Sequence, residues 1–550
     1  MFCAADYWLA ASCVAKHACR STAIPAAFSQ SRIPQGGGLL PRVADLSMRL
    51  PGGCGTHEDA SARTGRSRSC AYARRQHPGR FVGAHARTGK RKRGVDMRLP
   101  EGMQVAMKDG AQMTVKGELG EGGQGYVYLV EDALGGRYAL KWYKDATLDA
   151  CPSSKDFYDN LADLARRGAP DDRFLWPLGV TRVLNNRHFG YVMALREERH
   201  AELTMILNMK VEFDDFRVLC RAASETASAF EALHKAGRSY QDINAGGIFV
   251  DMRTGDVKVC GCDNVAPDGE SITGIKGFPG FMAPEVVLGY RRPWRGTDQH
   301  SLAVALFWMA MCGHPLHGAY EQMFPTVSAH NSAILYGSNP LFIFDEHNDA
   351  NRPVPGVHDN QIKLWGIYPE ELRAAFRRAF SQEALRCDSN DSGRKVAGSC
   401  RVKDYEWAEL FDRLSSSVYE CPRCHEHVFY DPSDPGRPCG WCGTRADPPF
   451  AMIAGKRAVP LALGRTVTAA DLGRDGSAPV ATLVENPADR SVLGLRNETA
   501  QPWVYPDGSL AAEPGKSVVV TKGGKRCPAF EVIATLANRG SITNVNVTVM

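Results

Sequence analysis

Residues Arg238–Asp263 read RSYQDINAGGIFVDMRTGDVKVCGCD. A lone acid, Asp242, stands in a polar loop ahead of a short apolar run, Ile248-Phe249-Val250. Thr254-Gly255-Asp256 supplies turn residues, and Val257 and Val259 begin a second short strand that stops at Gly261. The spacing predicts a tight hairpin with one acid at its entrance and another, Asp263, just beyond its exit. What the rest of the chain does depends on what surrounds that hairpin.

Upstream, Gln112 to Glu118 alternates like a strand and runs into Leu119-Gly120-Glu121-Gly122-Gly123-Gln124-Gly125-Tyr126-Val127-Tyr128. Strand residues follow the last glycine, so the motif predicts a hairpin whose main-chain amides can approach phosphates, and not a turn that opens a helix. Tyr138-Ala139-Leu140-Lys141 comes next. A strand lysine ordinarily points to solvent, but its spacing from a glycine loop makes Lys141 a candidate phosphate clamp. Phe157, Leu161 and Leu164 share one face of a predicted helix over 157–167, which Gly168 and Pro170 end. The stretch from Lys141 to Arg196 contains no Glu, so Asp159, with Asp163 as second choice, is the expected counter-charge of Lys141. Phe189–Leu195 is an apolar strand carrying Met193 and Leu195, and Phe216–His234 a helix with an apolar face.

Downstream lie Ala283-Pro284-Glu285, then Thr297-Asp298 at the start of an apolar helix through Met311. Arg401 precedes a helix bearing Tyr405, Trp407 and Leu410 and is the expected partner of Glu285, with Arg386 as the alternative.

Taken in order over about 300 residues, these motifs resemble those of the protein kinase superfamily. Lys141-Trp142-Tyr143, Gly168-Ala169-Pro170 and Phe174-Leu175-Trp176-Pro177-Leu178 are similar in detail to bacterial Ser/Thr kinase-like proteins of the tellurite-resistance-associated type. The resemblance implies a two-lobed fold with an ATP pocket. Gly120, Gly122, Gly125 and Val127 would cover the nucleotide, Lys141 would clamp its phosphates with help from Asp159, and Met193 and Leu195 would line the adenine end. Asp242 would be the catalytic base, while Glu285, Asp298 and Arg401 would be structural. Where that type reads Y-R-D-I-S-F-G-N and C-D-N-D-N-V, this chain has Tyr240-Gln241-Asp242-Ile243-Asn244-Ala245-Gly246-Gly247 and Cys260-Gly261-Cys262-Asp263-Asn264-Val265. Gly247 and Gly261 thus replace both magnesium ligands. Gln241 replaces the arginine that would receive an activation-segment phosphate at Ser271 or Thr273. The expectation is a pseudokinase acting as regulator or scaffold, binding nucleotide without a proper magnesium site. Two alternatives stand beside it: an active Ser/Thr kinase using Asp242, with Asp263 and Asn244 improvising the metal site, and an interaction protein in which the kinase fold is inert.

Cys421-x2-Cys424 and Cys439-x2-Cys442 are separated by 14 residues, a spacing that places four thiolates around one structural zinc ion. His425 and His427 are expected to be bystanders. From Phe450 onward short strands alternate with turn signals, as in a β-sandwich. Gly464-Arg465 and Leu495-Arg496-Asn497 resemble parts of a forkhead-associated module, whose Ser-x-x-His is absent, so a plain protein-interaction domain is the expectation.

The fold class that follows is multidomain α+β: a basic extension with no sustained periodicity (1–96), a two-lobed kinase-like domain (97–416), a zinc ribbon (417–446) and an all-β domain (447–550). Of the 550 residues, those before Met97 carry 16 Lys and Arg against 5 Asp and Glu, although the whole chain is only +5. The body is therefore acidic, which argues against nucleic acid as a partner and leaves proteins and a nucleotide. Scattered single cysteines, no apolar run of membrane length and no basic region ahead of an apolar start point to a cytoplasmic protein without a membrane partner.

Overall fold

The computed structural model describes residues 97–208, 210–324, 326, 328–386, 400–445, 449–474, 476–538 and 541–550. The predicted basic extension lies outside them.

Six strands open the described chain: β1 (Gln104–Ala106), β2 (Gln112–Glu121), β3 (Gly125–Glu131), β4 (Arg137–Tyr143), β5 (Gly179–Val180) and β6 (Gly190–Ala194). They form one antiparallel sheet in the order β1-β2-β3-β4-β6-β5. The period of two divides its side chains cleanly. Tyr126, Tyr128, Val130, Leu140 and Trp142 fill one face. Val127, Ala139, Tyr143, Tyr191 and Met193 face the core on the other. The register sets Val127 opposite Lys141, Lys141 opposite Tyr191 and Ala139 opposite Met193.

Helix α1 (Asp145–Ala150) leads to α2 (Ser154–Arg167), whose first turn is capped by Ser153 Oγ accepting from Asp156 N at 3.1 Å. Phe157, Leu161 and Leu164 are buried beneath it, as the periodicity required.

A helical region follows. Helix α3 (Phe216–Lys235) is capped by Asp215 and lies against α7 (Asp404–Ser417) and α4 (Arg295–Met311). Every residue of α4 from Gly296 to Met311 except Trp308 is buried. The hairpin is present as β8 (Ile248–Val250) and β9 (Val257–Val259), with Ile248 opposite Val259, and β7 (Ala201–Glu202) adds a third strand.

After α7 the chain makes a two-stranded ribbon, β10 (Val418–Glu420) and β11 (His427–Phe429). Val418 and Phe429 belong to the same core as α3 and α4, so the ribbon is packed onto the helical region and not hung from it. Phe216, Tyr368 and Phe429 have ring centroids 4.9–5.5 Å apart. Arg437 donates to the carbonyls of Gly366 and Ile367, at 2.7 and 2.8 Å, where α5 (Asp359–Ile367) ends ahead of α6 (Glu370–Ala379).

The spacing suggests Gly440 as a turn glycine. Its backbone needs no such freedom; a Cβ there would lie 3.0 Å from Ile367 Cα, so the requirement is close approach to α5. Gly443, at φ 71°, has the left-handed backbone.

From Phe450 two antiparallel sheets, of six and four strands, enclose one apolar core including Met452, Val459, Leu483, Leu495, Trp503, Val532 and Val547. Arg457 Nη1 reaches Ser416 Oγ of α7 at 3.2 Å, tying this layer to the helices. Among the described residues no helix is long and apolar enough to cross a membrane.

Candidate functional site

The strand register brings Lys141 to the sheet face that looks toward the hairpin. Its Nζ is 2.7 Å from Asp263 Oδ2 and donates to Gln124 Oε1 of the glycine loop at 2.6 Å. Asp159 is not its partner. That side chain is half exposed and pairs with Lys155 one turn back, at 2.6 Å. Asp163 is also turned away, held by Arg166, Arg167 and Arg238. Both sequence-based choices are therefore corrected, and the physical reason is local. Gly261 sits at φ 82°, a left-handed residue that opens a 3₁₀ turn over Cys262–Asn264. That turn swings the acid two residues on into the place where a helix carboxylate was expected.

Asp263 is fully enclosed. Tyr143 Oη donates to its Oδ2 at 2.8 Å, and Tyr191 Oη approaches Oδ1 at 3.4 Å. Burial first, and then the negative charge of Asp263, push both phenols well above their usual range, so they stay protonated donors.

Asp242 lies at the mouth of the hairpin. Asn264 Nδ2 donates to its Oδ2 at 3.1 Å, and Asn244 Nδ2 to its main-chain oxygen at 2.8 Å. Burial pushes its carboxyl up to about 7, opposed by the charge of Lys141 and reinforced by that of Asp263. Asn244 Oδ1 accepts from Gly246 N at 2.9 Å, so this amide is spent on the loop's own turn. Gly247 and Gly261, the positions where the resemblance led us to expect magnesium ligands, present only backbone here.

The backbone of the loop that carries Asp242 is held from below. Asp298 accepts from the N–H groups of Tyr240 (2.5 Å) and Gln241 (2.9 Å), although Gln241 is in the left-handed region at φ 72°. Gln241 Nε2 donates to Ser239 Oγ and to the Glu270 carbonyl, tying the loop to the segment before Ser271 by a neutral amide.

Sequence reading missed His234. Its two ring nitrogens meet Asp298 Oδ2 at 3.1 Å and Asp404 Oδ2 at 2.8 Å. Burial alone would lower this imidazole, but the two carboxylates outweigh it and raise it to about 10. A histidine at the end of an apolar helix carries no sequence signal for such a bridge. Both guanidinium ends of Arg401 donate to Glu285, each at 2.8 Å, with the two side chains almost wholly buried. Arg386, the alternative, is exposed, whereas Glu285 is buried against Arg401.

The glycine loop closes over the site. Lys144 Nζ donates to the Gly122 carbonyl, and Thr147 Oγ1 to that of Gln124. Gly120, Gly122 and Leu195 are exposed, Val127 is half-buried and Met193 is 8% exposed. A cavity of about 230 Å³ lies between Gln124, Thr147, Cys151, Phe157, Asn264 and Thr273.

The four cysteines form the second site. Cys421, Cys424, Cys439 and Cys442 place their sulfurs within 4.8 Å of one another and could hold a metal ion. Cys421–Cys442 and Cys424–Cys439 are 4.0 and 3.7 Å apart. Four sulfurs at the usual zinc distance would be about 3.8 Å apart, so the set fits a tetrahedral ion. His425 instead faces Glu420.

No protein-family model matches the chain. Over 199 residues it is 25% identical to serine/threonine-protein kinase 40 of Mus musculus, covering 35% of this chain and 37% of that protein. Over 110 residues it is 34% identical to serine/threonine-protein kinase PknK of Mycobacterium tuberculosis, covering 20% of this chain and 10% of that one. The similarity supports the protein kinase superfamily. The match spans little more than a third of the first relative's length and a tenth of the second's.

Proposed function

We propose that this chain is a kinase-fold regulator that binds nucleotide in the pocket bounded by Gly120, Gly122, Gly125, Val127, Lys141, Met193 and Leu195, and that transfers phosphate poorly or not at all. One observation supports it above the others. The hairpin's exit carboxylate, Asp263, is committed to Lys141 and two tyrosines, while Gly247 and Gly261 supply nothing in its stead. Phosphoryl transfer depends on cations that neutralise the β- and γ-phosphates, and a lost metal ligand removes several kcal/mol of that help.

In this reading Lys141 keeps its counter-charge by a new route and stays poised for phosphate. Gln124 Oε1 occupies the lysine until a phosphate oxygen displaces it. The four cysteines hold a structural zinc ion that supplies no chemistry to the pocket. The ribbon and the β-layer offer the docking surface for a protein partner, in line with the resemblance to tellurite-resistance-associated kinase-like proteins.

The test is thermal stabilisation by ATP in EDTA, paired with an autophosphorylation assay in magnesium. Stabilisation in EDTA, its loss in Lys141→Met and the absence of labelled protein are the expected results. Rapid labelling of the unmodified protein would overturn the proposal in favour of an active kinase. No response to ATP would leave the ribbon and β-layer as the functional part. Gly247→Asn is the restoring variant of choice, since a Cβ there meets nothing nearer than 3.4 Å. Gly261→Asp would have to adopt the left-handed backbone.

A further inference from the structure

Four histidines gather around α4: His300 within the helix, His314 and His317 just after it, and His358 at the start of α5. His300, His314 and His358 are buried, and His317 is half-buried. The bonds of His314 fix its protonation. Its Nδ1 accepts from the Leu316 N–H at 3.1 Å, so the ring proton sits on Nε2, which donates to the Gly280 carbonyl at 2.8 Å. His317 stacks on that ring with centroids 4.1 Å apart, and its Nε2 meets Tyr336 Oη at 2.7 Å. This arrangement needs His314 neutral. A proton on Nδ1 would set N–H against N–H and place a charge against a second imidazole in an enclosed space.

The surrounding charges do not relieve that conflict. Glu285 is closed on Arg401, and Arg401 acts against a charge on His300. Glu321 stands by Tyr336, and Asp359 by His358. Burial holds His314 down at about 4, and the bond to the Gly280 carbonyl works against it. Burial, then His314 and His358, hold His317 well below its usual range. His234, gripped by two carboxylates, is the opposite case.

What His314 grips is the stretch 277–282, ahead of Ala283-Pro284-Glu285. Gly280 has a left-handed backbone at φ 88°. Gly277 packs on the loop that carries Asp242, since a Cβ there would lie 3.2 Å from the Gln241 carbonyl oxygen. Phe281 N and Met282 N both donate to the Phe278 carbonyl, so the stretch has its own hydrogen-bonded turn.

We propose that His314 and His317 form an acid-operated latch: neutral, they hold the stretch 277–282 against the loop of Asp242, and protonated they release it. The sign follows from linkage. A histidine held below its unfolded value near 6.5 stabilises the closed form fully above that pH and loses the contribution as pH falls toward the folded value. The latch goes beyond the nucleotide reading and does not depend on it.

The experiment is hydrogen exchange of the full-length, zinc-loaded protein from pH 7.5 to 5, read by mass spectrometry as protection factors, which remove the pH dependence of chemical exchange itself. Protection over 277–282 should fall by about a hundredfold or more across that range, while protection of α3 in the same sample stays within about twofold. His314→Gln and His317→Phe, the second of which keeps the ring stack, should each cut the fall by about tenfold or more. Constant protection over 277–282, a loss that α3 shares at the same pH, or an equal fall in both variants would overturn the latch. If His314→Gln does not fold, the slope of His317→Phe decides.

Discussion

Two corners of this molecule concern metal, and they are built on opposite terms. In the ribbon, four cysteine sulfurs converge from two short C-x2-C loops and need nothing from elsewhere to hold an ion. In the hairpin, the two expected ligand positions are glycines, and the nearby polar groups are engaged with one another. A closed site made of adjacent residues survives as a unit. A site assembled from a loop, a strand end and a lysine on another sheet can lose members singly while the fold around it is kept.

Removing the metal from the ribbon should have the largest effect of all. Ribbons this small depend on their ion, and Val418 and Phe429 lie in the core shared with α3 and α4. Chelation, or Cys421→Ser, should therefore lower the denaturation midpoint of the helical region and not only melt the ribbon. Tryptophan fluorescence in guanidinium would check this, and an unchanged main transition would break the contrast. Arg401→Met should cost about 3–5 kcal/mol, because it leaves Glu285 buried without a partner. That can be read from urea unfolding. Gly440→Val should cost about 1–3 kcal/mol through overpacking against Ile367, while leaving metal stoichiometry unchanged.

The pH dependence sharpens the comparison on the hairpin side. His234 titrates near 10 in the fold and near 6.5 when unfolded. Its stabilisation is thus complete below about pH 6.5 and is lost as pH rises through 10. Unfolding free energy measured from pH 7 to 10 should fall, and His234→Asn should flatten that slope. At the small end, Asp159→Asn should change stability by less than about 0.5 kcal/mol, since the Lys155 pair is exposed, and should leave ATP stabilisation alone. A large loss of ATP response would return Asp159 to the site and displace Asp263.

The glycine loop, Lys141, the loop acid and the paired cysteines are legible in the chain because each is a short motif with a fixed spacing. The partner of Lys141 is not. It depends on the backbone at Gly261 turning left-handed, after which Asp263 meets Lys141 with no motif altered. His234 escapes for a related reason: its two acids are 64 and 170 residues away along the chain. Gly440 was legible as a requirement for glycine but not as to cause, since turn and close contact demand the same residue. Local pattern gives which groups exist, and only tertiary packing decides which of them meet.

The seating of the ribbon carries a practical corollary for anyone cutting this chain. A fragment trimmed at Ser417 would leave the rings of Phe216 and Tyr368 facing water and the carbonyls of Gly366 and Ile367 without Arg437. Such a piece would be sticky and prone to precipitate, and its behaviour in a phosphotransfer assay would report on the wound and not on the pocket.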